Sequence, residues 1–88
     1  MTARDEMTVA EREDALQGAV LGLLVLAHPG QFSVEELVRE MTERPDEFSQ
    51  RDAIDNALRD LAGAGLVHRH GPFVFATRAA VRFDELRI

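Results

Sequence analysis

The chain has 88 residues, of which 45% are hydrophobic and 30% charged, and its formal net charge is -6. That size implies one domain with a single modest core and no deep catalytic cleft, and the composition excludes a disordered chain. With no cysteine, disulfides, thiolate chemistry and cysteine-ligated metal centres are excluded as well.

Residues 1–8 are polar and predict a mobile tail ahead of one folded unit spanning 9–88. The acidic start lacks the basic-then-apolar order of a signal peptide. The longest apolar run, Ala19 to Ala27, is far short of the roughly 20 residues that span a bilayer. A cytoplasmic location is expected.

A first helix is predicted from Val9 or Ala10 to His28, where Pro29-Gly30 stops it. Ala15, Leu16, Ala19, Val20, Leu23, Leu24 and Ala27 share one face, which Leu21, Val25 and Leu26 widen beyond a single stripe. So apolar a helix needs cover on two sides, from the last helix or from a second copy of the chain. A homodimer through Leu16, Val20, Leu23 and Leu24 is therefore expected, with the last helix contributing. Gly18 and Gly22, four apart, would permit close helix approach or are simply tolerated beside the core.

Gln31-Phe32 can add a short strand beside a later hairpin. Ser33 and Glu36 form the signature of a capping box, opening a second helix that runs to about 41–43 and buries Leu37, Val38 and Met41. A turn is expected at 44–48, where Pro45 prevents continuation. A third helix follows at about 49–64, capped by Ser49 with Asp52 three residues on, and buries Ile54, Ala57, Leu58 and Leu61. Gly65 can end it in the left-handed conformation.

Two short strands over 66–75 then meet at Gly71-Pro72, with Val67 and Arg69 on one face and His68 and His70 on the other. Thr77 caps a last helix to about Leu86, burying Val81 and a choice of Ala80, Phe83 or Leu86. The fold expected is α+β, with a three-helix core, a small antiparallel hairpin and a C-terminal helix.

Residues 21–27 (LGLLVLA), 33–41 (SVEELVREM), 53–70 (AIDNALRDLAGAGLVHRH) and 73–80 (FVFATRAA) resemble the prokaryotic winged helix-turn-helix regulators. Leu58, Leu61, Gly65, Leu66 and Val67 carry the commonest local signature of that group. The resemblance covers about residues 15–86 and implies a third helix in the major groove, a hairpin wing on the backbone or minor groove, and dimers on paired half-sites.

The candidate DNA contacts follow from side-chain chemistry. On the third helix Asp52, Asn56 and Arg59 are expected to face outward, with Asn56 suited to adenine and Arg59 to guanine. Ser49, Gln50 and Arg51 near the helix start suit phosphate. Arg69 and His70 flank the hairpin tip, and Arg78 just beyond is expected to join them. Asp52 and Asp55 oppose this role, and the i,i+4 spacings of Arg51, Asp55 and Arg59 allow internal ion pairs.

Charge is unevenly divided. Residues 1–48 hold eleven acids against four arginines, a net of -7, whereas residues 49–88 hold five against six, a net of +1. The alternative function is a winged helix that contacts protein rather than DNA. His68 and His70 lack a third ligand, so no metal site is expected, and no cofactor either. No nucleophile, phosphate-loop or metalloprotease motif occurs, so an enzyme is not expected.

Overall fold

A computed structural model of the chain describes residues 8–42 and 48–87. Its elements run α1 (Val9–Ala27), β1 (Phe32–Ser33), α2 (Val34–Met41), α3 (Phe48–Gly63), β2 (Val67–His70), β3 (Phe73–Ala76) and α4 (Arg78–Leu86). The fold is α+β, with four helices and one three-stranded antiparallel sheet ordered β1-β3-β2.

Side-chain caps set the helix starts. The Ser33 hydroxyl accepts from the Glu36 amide at 3.1 Å, and the Glu36 carboxylate accepts from the Ser33 amide at 2.9 Å. The same reciprocal box opens α1 through Thr8 and Glu11. Thr8 thus belongs to the folded unit rather than to a tail, and residues 1–7 lie outside the described ones. These caps satisfy backbone donors that the first helical turn leaves unpaired.

Ser49 does not cap α3. The helix begins at Phe48, so Ser49 is its second residue; of the turn expected at 44–48, Phe48 is helical and the rest lies outside the described residues. The far end follows expectation. Gly65 has φ +81°, its amide donates to the Ala62 carbonyl, and the Leu66 amide donates to the Leu61 carbonyl. This is a Schellman stop, which swings the chain from α3 directly into β2.

The hairpin turns at Gly71, φ +60°, and its register pairs Val67 with Ala76 and Arg69 with Val74 on one face. His68 pairs with Phe75 and His70 with Phe73 on the other. The first face closes the core. Val67, Val74 and Ala76 pack with Val20 and Leu24 of α1, Leu37 and Val38 of α2, and Ile54, Ala57, Leu58 and Leu61 of α3. From α4 only Ala80 is fully enclosed, with Val81 half-buried.

The two expectations about apolar cover fare differently. Of the residues offered for burial on α4, Ala80 is enclosed, as one alternative had it, whereas Phe83 and Leu86, nearer the far end of the helix, are each 65% exposed. Val20 and Leu24 are completely buried in the single chain, so neither can line a dimer contact. Of the four residues assigned to that contact, Leu16 and Leu23 are half-buried. The outward side of α1 instead carries Ala15, Gly18, Ala19, Gly22 and an 83%-exposed Leu26. Neither glycine meets another part of the chain within 4 Å of where a side chain would begin.

Candidate nucleic-acid interface

The exposed side of α3 brings Asp52, Asn56 and Arg59 to solvent, as the 100° helical step requires once Ile54 and Leu58 face the core. Asn56 and Asp52 border a groove of about 360 Å³ between α3 and the first half of α1, floored by Leu16, Ala53 and Ala57. Across it the Gln17 amide donates to the Asp60 carboxylate at 3.1 Å, tying the two helices together.

The arginines of this face are all engaged. Arg59 folds back along its own helix, donating to Asn56 Oδ1 at 3.2 Å and to Asp55 Oδ2 at 3.3 Å. Asp55 Oδ1 accepts from Arg69 Nη2 at 3.2 Å, so one carboxylate joins α3 to the hairpin. Arg51 reaches across to α2 and grips both oxygens of Glu35. These hydrogen bonds hold the Glu35 carboxyl below its ordinary value against a weaker desolvation effect, and raise Arg51 in turn. Three cations therefore stand among Glu35, Asp52 and Asp55, and the surface is close to neutral despite its arginines.

Of the eight residues singled out from sequence, Arg51, Asn56, Arg59 and Arg69 occupy this α3–hairpin surface. Ser49, also on the groove edge, is exposed, and its neighbour Gln50 is half-buried. The expected cluster of Arg69, His70 and Arg78 is not formed. Strand alternation sends Arg69 toward α3 and His70 to the opposite face, and Arg78, first in α4, borders His28 at the end of α1.

Sequence reasoning missed the link between Asp55 and Arg69 and the grip of Arg51 on Glu35. Helical spacing announces only partners three or four residues apart. These pairs are 14 and 16 residues apart and exist only once the hairpin and α2 have docked.

Among the described residues, no group of three or more potential ligands could hold a metal, and no helix is long and apolar enough to cross a membrane. Comparison with family models, curated proteins and solved structures finds no match to this chain.

Proposed function

We propose that this chain is a small DNA-binding transcriptional regulator of the winged helix-turn-helix kind, with α3 as the reading helix and the β2–β3 hairpin as the wing. One observation carries the reading. Asn56 and Arg59 stand exposed on one helix whose opposite side is wholly committed to the core, with Arg69 of the hairpin one carboxylate away. The order helix, strand, helix, helix, strand, strand, helix around a three-stranded sheet supports it.

In this role the Asn56 amide pairs bidentately with adenine and the Arg59 guanidinium with guanine. Arg51 and Arg69 lie beside them for phosphate, which positions the helix without reading sequence. Engagement requires Arg59 to exchange both Asp55 and Asn56 Oδ1 for a base edge, which also frees the Asn56 amide. An exposed i,i+4 pair contributes only about 0.3–0.5 kcal/mol, whereas a good bidentate base contact discriminates by about 1–3 kcal/mol, so the exchange is favourable. Two copies would read paired half-sites. The exposed Leu26, Phe83 and Leu86 supply the apolar surface for that pairing in place of the buried Val20 and Leu24.

Fluorescence anisotropy with duplexes from the DNA upstream of the chain's own gene tests the reading. Arg59→Ala should weaken specific binding by about tenfold and relax the preference at one base pair. Equal binding by Arg59→Ala and wild type removes α3 from the contact.

The second reading is a winged helix that binds protein and touches no DNA. It is favoured by the carboxylate partner on each of Arg51, Arg59 and Arg69, which leaves the α3 face nearly neutral.

A further inference from the structure

The opposite face of the hairpin has a different character. Its register sets His68 against Phe75 and His70 against Phe73 in two cross-strand pairs, and the His68 and Phe75 rings lie 5.1 Å apart. Neither phenylalanine packs against the core, and Phe73 is 41% exposed. Cross-strand pairs of this kind each add only a small share of folding stability.

Beside this pair lies a shallow depression of about 430 Å³, bordered by His28, Gln31, His68, Phe75, Thr77 and Arg78, with Pro29 and Ala76 completing it. None of those residues is acidic, in a chain of net charge -6. Glu85 borders a neighbouring depression that shares His28 and Arg78, and it is paired with Arg82 at 3.2 Å. Arg78 has no such carboxylate among the ion pairs of the described residues, in contrast to Arg51, Arg59 and Arg69. Aromatic faces flanked by Arg78 and histidines, with no carboxylate lining the depression, match a partner that is flat, apolar on its faces and negatively charged along its edge.

We propose that the outer face of this hairpin binds single-stranded nucleic acid, with bases stacked on Phe73 and Phe75 and the sugar–phosphate chain running past His68, His70 and Arg78. Every base presents a π-face, so the platform takes a strand with little sequence preference, and its electrostatic share falls with salt. The surface is the reverse side of β2 from Arg69, so it is separate from the α3 contact and stands or falls independently of it.

The test is anisotropy of a labelled oligothymidylate of about 15 nucleotides, at low salt, with the full chain. The wild type should bind, and Phe73→Ala and Arg78→Glu should each weaken binding by about fivefold or more. Both variants are expected to fold, since Phe73 is outside the core and an acid at the first residue of α4 complements the helix N-terminus. Arg39→Ala, an exposed arginine on α2, should bind within about twofold of wild type, which separates this site from general charge loss. No binding by the wild type overturns the proposal, as does wild-type affinity in both Phe73→Ala and Arg78→Glu, or a loss in Arg39→Ala matching that in Arg78→Glu. Duplex binding that depends on Arg59 can be absent while oligothymidylate binding stands, and the reverse, so the two readings fail separately.

Discussion

A carboxylate with one oxygen on Arg59 and the other on Arg69 stands where a phosphate would stand. Asp55 therefore competes, inside the molecule, with the anion that the same arginines are proposed to meet. Asn in its place is nearly isosteric and cannot hold two guanidiniums by charge. Asp55→Asn should tighten duplex binding severalfold and steepen its salt dependence by about one to two released counterions. Weaker binding in a titration of this variant would mean that Asp55 aims the arginines rather than occupying them. Three other carboxylates carry a pH dependence. Backbone and side-chain hydrogen bonds at the caps hold Glu11 and Glu36 below the ordinary glutamate value of 4.5, and the Arg51 hydrogen bonds do the same for Glu35. A lowered folded value means the stabilisation is complete above 4.5 and is lost as pH falls through the folded value. Thermal midpoints should accordingly drop on acidification from about pH 5 to pH 3, and the drop should be shallower in Glu36→Gln. An identical decline in that variant would remove the cap from the account.

Single elements explain why much of the fold was legible. The Ser33–Glu36 box, the Gly65 stop, the Gly71-Pro72 turn and the Thr77 cap each depend on residues within a few positions of one another, so local chemistry decides them. The Thr8–Glu11 box had the same spacing as Ser33–Glu36 and was there to be read; the polar composition around it concealed it. Phe83 and Leu86 were not decidable locally, because which flank of a short helix is buried depends on how it docks. Thr77 has a second role that sequence alone did not announce. Its hydroxyl accepts from the Ala80 amide at 3.2 Å and donates to the Gly65 carbonyl at 2.9 Å, so it fastens the start of α4 to the end of α3. Thr77→Ala should cost about 1–2 kcal/mol in denaturant unfolding, and Thr77→Ser should recover most of it. A loss below about 0.5 kcal/mol would reduce Thr77 to an ordinary surface cap.

At the scale of the molecule, the division of charge along the chain does not reappear as an open positive surface on α3. The six arginines of the second half sit among five acids, and folding brings Glu35 of the first half to Arg51 as well. Composition could not foresee this, because it counts charges without pairing them. The apolar surplus of α1 was legible, but its allocation was not: Val20 and Leu24 went to the core and Leu26 to solvent. With Phe83 and Leu86 also exposed, the chain is expected to pair with itself. Sedimentation should give twice the 9.8 kDa chain mass for the wild type, and Phe83→Glu should shift the population toward the single-chain mass. A wild type that stays at 9.8 kDa at high concentration contradicts the dimer.

Contact between the α3 face and duplex DNA carries the proposed function. Its most direct measurement is the affinity of the full chain for a duplex from its own upstream DNA across a salt series. Phosphate contacts from Arg51 and Arg69 predict that log affinity falls linearly with log salt, with a slope of about -2 per chain, and that Arg69→Ala makes it shallower by about one. Absence of binding at the lowest salt, or an affinity that salt does not change, would contradict it.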